Sequence, residues 1–124
     1  ILCVGESLEQ RNSGKASEAV MLQIDESGIS NLEFEEKIIA YEPIWAIGSG
    51  KTPSQAEIKD IHNKIHEKLA LDGNCKEIKV LYGGSVNADN ALDIFSTPGV
   101  DGALIGGASL KKADFIKIIE AAKI

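Results

Sequence analysis

The stretch Ile38-Ile39-Ala40-Tyr41-Glu42-Pro43-Ile44-Trp45-Ala46-Ile47-Gly48-Ser49-Gly50-Lys51-Thr52-Pro53-Ser54 decides how the fold is read. Its first four residues form a short apolar, β-branched run that stops at a carboxylate. A strand apolar on both sides belongs in a parallel sheet covered by helices rather than in a solvated hairpin. A glycine-rich loop from Glu42 to Thr52 follows. Pro53-Ser54 then opens a helix whose Ile58, Ile61, Ile65 and Leu69 fall on one face and whose charges fall on the other. The unit is strand, long loop, amphipathic helix.

Working outward, the same unit recurs. Ile1 to Val4 is a strand closed by Gly5, followed by a short helical segment from Ser7 to Arg11 broken at Asn12-Ser13-Gly14. Ala16 to Ile24 has Ala16, Val20 and Ile24 at helical spacing, and Gly28 to Asn31 is turn chemistry. Downstream, Asp72-Gly73-Asn74 ends the long helix, and Ile78 to Tyr82 is a third strand before Gly83-Gly84-Ser85. Ala88 to Phe95 reads as a helix capped by Asn87. Gly102 to Ile105 is the fourth strand, followed by Gly106-Gly107, and Ala113 to Ala122 closes the chain as a helix. Four strands alternating with helices predict an α/β fold of four consecutive parallel β/α units, residues 1–124 forming one domain. The glycines gather after the strands, at the carboxyl ends where parallel-sheet proteins carry their sites.

Bulk properties narrow the partners. The chain has 124 residues, 44% hydrophobic, with a net charge of -6, a balance that argues against nucleic acid and anionic membranes. An anionic substrate needs a local positive site to overcome that field. No stretch is long and apolar enough for a membrane helix. The two cysteines, Cys3 and Cys75, lie far apart, which fits a reducing, cytoplasmic setting, with Cys3 expected to be buried in its strand. The chain opens inside an apolar strand without a leading loop, so it is expected to be cut from something larger.

Glu42 sits at a strand end beside Pro43, where partial desolvation suits a carboxylate to abstract a proton from carbon. A strand-end carboxylate satisfied by neighbouring backbone is the competing account. The loop after it has two stiff ends, Pro43-Ile44-Trp45 and Lys51-Thr52-Pro53, around a tip of Ala46, Ile47, Gly48, Ser49 and Gly50. That pattern fits a lid swinging on two hinges, since an apolar tip is costly to expose unless it closes over something. Gly50-Lys51-Thr52 has the ending of a nucleotide-binding P-loop, but Trp45 stands where the first glycine is required. Gly48-Ser49-Gly50 fails as a dinucleotide loop because Pro53 replaces the third glycine. Gly83-Gly84-Ser85 and Gly106-Gly107 each precede a helix, so their backbone amides can approach a phosphate without a lysine. His62 and His66, one helical turn apart, lack a third ligand and read as a solvated face, and Lys111-Lys112 as surface decoration.

Together, Ala40 to Thr52, Tyr82-Gly83-Gly84-Ser85-Val86, Asp101 to Leu110 and Cys3-Val4-Gly5-Glu6 closely resemble the ordered motifs of the triosephosphate isomerase family. The resemblance implies half of a (β/α)8 TIM barrel, its strands five to eight, against an intact barrel of roughly 250 residues. It implies that Glu42 is the base that moves a proton through an enediolate between dihydroxyacetone phosphate and glyceraldehyde 3-phosphate, in glycolysis and gluconeogenesis. It assigns the phosphate, for which sulfate could substitute, to amides of Gly48, Ser85, Gly106 and Gly107. It has Tyr82 and Ser85 latch the closed lid, and Glu6 pair with Trp45 when the lid is open. No metal or cofactor is implied. The electrophilic histidine and the asparagine–lysine pair of the family lie in the other half, so the chain alone is expected to be weak or inactive. Exposed strand edges and barrel interior imply a homo-oligomer, and the competing reading is a non-catalytic half-barrel that at most binds phosphate.

Overall fold

Four short strands, β1 (Leu2–Val4), β2 (Ile38–Tyr41), β3 (Lys79–Tyr82) and β4 (Gly102–Ala103), lie parallel in the order β1-β2-β3-β4. They belong to a computed structural model that describes residues 1–33, 36–71 and 78–123. The expected helix stop at Asp72-Gly73-Asn74 and Cys75 lie outside the described residues. The α/β reading holds: helices α1 (Leu8–Asn12), α2 (Ala16–Ser27), α3 (Gln55–Leu71), α4 (Ala91–Phe95) and α5 (Lys112–Ala121) punctuate the parallel sheet as a fragment of a TIM barrel would have it.

Register explains which side chains go where. One row crosses the whole sheet, Val4–Tyr41–Tyr82–Ala103, and another joins Leu2, Ile39 and Val80. Both rows face the core, where Ala16, Val20 and Ile24 of α2, Ile58, Ile61, Ile65 and Leu69 of α3, and Ile118 of α5 are buried. The row between them, Cys3–Ala40–Leu81–Gly102, points to the opposite face because strand side chains alternate. Cys3 is therefore exposed, not buried as its apolar run suggested.

Local chemistry sets the helix ends. Ser7 and Gln10 form a reciprocal capping box at the start of α1. Ser54 and Glu57 do the same for α3: Ser54 N–H and Oγ each donate to Glu57 Oε2 at 2.8 Å, and Glu57 N–H donates to Ser54 Oγ at 3.3 Å. These bonds hold the Glu57 carboxyl below its usual range. α2 runs past the expected Ile24 to Ser27 and stops at Gly28, whose φ of 63° is the left-handed cap that glycine accepts most easily.

Two elements are shorter than expected by more than one residue. α4 begins at Ala91 because Asn87 Oδ1 accepts from the N–H groups of Asp89 and Asn90, holding that segment as a separate turn. β4 ends at Ala103, although the Leu104 N–H still reaches Tyr82 O at 2.9 Å.

His62 is not on a solvated face. It is fully buried, edge-on to the Tyr41 ring, with Nδ1 3.0 Å from Gly99 O, and His66 Nε2 is 3.0 Å from the same carbonyl. The pair pins α3 to the turn before β4, a use of helical spacing that surface and metal readings both missed. Burial holds the His62 imidazole well below its ordinary 6.5, at about 4. The unfolded chain thus binds a proton between those values that the folded chain refuses. The neutral ring's contribution is complete above pH 6.5 and is lost as pH falls toward 4, amounting to about 3 kcal/mol. We expect thermal melts to show a fall in stability from pH 7 to 4.5, and His62→Gln, which keeps a donor for Gly99, to flatten it. Equal slopes in the two proteins would contradict this assignment.

Candidate active site

Glu42 follows the last residue of β2, and the sheet register continues through it. Its N–H donates to Val4 O at 2.7 Å, and the Gly83 N–H donates to Tyr41 O at 2.7 Å. Glu42 is thereby flanked by Gly5 on one side and Gly83 on the other. A Cβ on Gly5 would overlap the Glu42 carbonyl oxygen, and one on Gly83 would overlap its Cγ. Gly83 is thus a steric clearance for the half-buried side chain of Glu42, and Gly5 one for its backbone. On the strand row below, the Cys3 thiol lies on the same face as Glu42; partial burial first, and then the carboxylate charge, raise its pKa. Nothing in the sequence reading linked these two groups.

A cavity of about 880 Å³ opens at the carboxyl ends of the strands, lined by Glu42, Gly48, Ser85, Gly106, Gly107 and Lys111 among others. The sequence reading placed the first five together. It left Lys111 on the surface and overlooked Asn87 and Asp114, which also line the cavity. Their signal was available only as proximity to the glycine loops. Among the described residues no group of three or more His, Cys, Asp or Glu is placed to hold a metal ion.

The loop over this cavity divides differently from its sequence pattern. Ile44–Ala46 forms a 3-10 turn, with the Ala46 N–H on Pro43 O at 2.8 Å and the Ile44 N–H on Glu6 O at 3.1 Å. Ala46 is buried, and its carbonyl accepts a hydrogen bond from Ser85 Oγ at 2.9 Å. Ala46 therefore belongs to the anchored root and not to the tip. Ile47 is exposed beside the cavity, and Gly48 and Gly50 adopt φ of 65° and 72°. The far end of the loop runs through Lys51, Thr52 and Pro53 into the Ser54 cap of α3, with the Lys51 N–H on Ser49 Oγ at 3.1 Å.

Glu6 anchors the root of the loop. It is fully buried, and its Oε1 accepts from Trp45 Nε1 at 2.9 Å, Tyr41 Oη at 3.2 Å, and Arg11 Nε and Nη2 at 2.9 and 2.6 Å. Arg11 also donates to Tyr41 Oη at 2.8 Å, lies 5.9 Å from the Trp45 ring centroid, and reaches Glu57 at 3.6 Å. Sequence reasoning missed Arg11, although the capping box directly after Glu6 predicts a helix able to turn it back. Burial, and then the Glu6 charge, push the Tyr41 phenol far above its ordinary range and Tyr82 up to about 12. The Tyr82 hydroxyl is buried with no hydrogen-bond partner among the described residues, and only glycine fits at position 84 beside it.

Removing Arg11 would leave a buried carboxylate unneutralised. Arg11→Met is expected to cost about 3–5 kcal/mol in chemical denaturation. Adding Glu6→Gln should recover part of that loss, because the stranded charge is removed. A double variant no more stable than Arg11→Met would show that the pair acts through packing alone.

Comparison with known proteins places these features in a family. The profile described as Triosephosphate isomerase matches residues 1–122. A triosephosphate isomerase of Neisseria meningitidis is 51% identical over 124 residues, covering 99% of this chain and 49% of that protein. One from Nitrosomonas europaea is 46% identical, covering 99% of this chain and 50% of its own length. One from Hydrogenovibrio crunogenus is 48% identical, covering 98% of this chain and 50% of its own length. The chain spans about half the length of the curated relatives it matches.

Proposed function

The chain belongs to the triosephosphate isomerase family, and we propose that it carries the proton-transferring and phosphate-holding part of that enzyme's site. The observation that supports this best is the convergence of Glu42 with Gly48, Ser85, Gly106 and Gly107 on one cavity. Glu42 takes the proton from the carbon beside the substrate carbonyl and returns it to the neighbouring carbon, passing through an enediolate. The clearance at Gly83 leaves room for that carboxylate beside β3, and the one at Gly5 lets the Glu42 backbone approach β1. Amides of Gly48, Ser85, Gly106 and Gly107 hold the phosphate, since backbone N–H groups beside glycines admit a close anion. Triose phosphate is the substrate, in glycolysis and gluconeogenesis, in a cytoplasmic protein whose residues 1–124 form one domain.

The lid runs from Pro43 to Pro53. Trp45 on Glu6 is the bond of the open lid, in which Ser85 Oγ rests on the Ala46 carbonyl, and the orphaned Tyr82 hydroxyl, with Ser85 once it changes partner, is the latch when shut. Closure excludes water from an enediolate that would otherwise expel phosphate. No histidine lines the cavity among the described residues, and the family resemblance assigns the groups that polarise the carbonyl to the half of the relatives that this chain does not span. The missing electrostatics cost about 10²–10³ in rate per donor.

The deciding experiment is isomerase turnover by this chain, alone and mixed with the complementary half of a relative. The chain alone should turn over no faster than its Glu42→Gln variant. The complemented chain should gain activity that Glu42→Gln lowers by about 10²–10⁴-fold. Complemented activity indifferent to Glu42→Gln would remove the residue from the mechanism.

A non-catalytic, self-associating half-barrel is the second reading, supported by the exposure of Cys3 and Lys79 on the sheet face opposite the core. On either reading the free edges of β1 and β4 favour association of like chains. Sedimentation velocity should then give a dimer or larger species, and a monodisperse monomer would sink this part of the proposal.

A further inference from the structure

The cavity has an electrostatic problem that its glycine loops do not solve. The chain carries a net charge of -6, and the cavity lining includes two carboxylates, Glu42 and Asp114. Backbone amides bind an anion at contact but have little reach. A phosphate dianion approaching the cavity therefore needs an attractive charge near the entrance.

Among the described residues, Lys111 is the one cationic side chain that lines the cavity. It is exposed, and its ammonium has no ion pair and no hydrogen bond among the described residues. Its backbone is fixed, because its N–H donates to Ala108 O at 3.2 Å and its carbonyl accepts from Phe115 N–H at 2.9 Å. That anchors the residue between the Gly107–Leu110 turn and α5, a few residues from the glycines that would hold the anion. Lys112, the next residue, does not line the cavity.

We infer that Lys111 is an anion-recruiting residue: a rim ammonium that draws the phosphate dianion toward the amides of Ser85, Gly106 and Gly107. This rests on the phosphate reading of the cavity. It adds a charge from the chain's own sequence to a site otherwise built from neutral backbone. An exposed charge in water acts modestly and is screened by salt, with a Debye length of about 10 Å at 0.1 M. The effect should therefore be a few-fold and ionic-strength dependent, as for other exposed charge pairs.

The test is a titration with inorganic phosphate at low ionic strength, followed by NMR of the Ser85, Gly106 and Gly107 amides. Lys111→Met should weaken binding about five-fold, which corresponds to an exposed interaction of about 1 kcal/mol. The gap should close in concentrated sodium chloride. Lys112→Met, which removes the same charge one residue away, should leave the affinity nearly unchanged, and unchanged melting curves would exclude a folding defect. If wild type moves those amides but Lys111→Met binds as tightly, the inference falls and the phosphate reading stands. If Lys112→Met weakens binding as much as Lys111→Met, net charge rather than position is responsible, and the inference again falls. If phosphate moves none of the three amides in wild type, the phosphate reading falls and the inference falls with it.

Discussion

Glu6 is a carboxylate with no access to solvent, and the arrangement of the near half of the molecule follows from neutralising it. Removing a charge from water costs several kcal/mol even after the surroundings relax, so an unpaired Glu6 would be hard to retain. Arg11 supplies the counter-charge, but only because the capped turn of α1 brings it back over the end of β1. Tyr41 and Trp45 complete the coordination of the same oxygen. One carboxylate thereby links β1, α1, β2 and the root of the loop, and Arg11 extends the link to Glu57 on α3. The apolar core packs the layers together, while this pair sets where the loop after β2 must leave the sheet.

The second constraint is the common register. Parallel strands joined by right-handed crossovers present their carboxyl ends on the same side. Here the row after Val4–Tyr41–Tyr82 contains Gly5, Glu42 and Gly83, with the carboxylate between two residues that have no side chains. A larger residue at either neighbouring position would compete with Glu42 for volume. The same alternation that sends Tyr41 and Tyr82 into the core sends Glu42 to the opposite face, beside Cys3. Core and site are two consequences of one two-residue period.

Much of this was legible before any coordinates. The strand cores, the apolar face of α3, and the loops after β2, β3 and β4 announce themselves by local composition, and the structure keeps them within a few residues. The shortened ends of α4 and β4 depend on particular hydrogen bonds, such as those to Asn87 Oδ1, that a propensity argument does not count. His62 was misread because spacing along a helix locates a face but does not say what covers it. The covering group, Gly99, lies 37 residues away in sequence. Lys111 was rightly placed on the surface, but its place on the cavity lining was not legible, since a charged residue at a helix start looks the same whether it faces open solvent or a cavity rim.

By itself the sequence determined the identity and order of the β/α units, the long loop after β2, the glycine loops after β3 and β4 and the carboxylate at the strand end. Those features are written in short-range chemistry: apolar periodicity, turn residues and caps. Only the tertiary structure decided that Arg11 neutralises Glu6, that Cys3 shares a sheet face with Glu42, that Ala46 is anchored while Ile47 is exposed, and that His62 is buried neutral. Each of those depends on residues brought together by strand register and helix packing from distant parts of the chain. Burial and pairing are properties of a neighbourhood, and the neighbourhood exists only once the chain has folded.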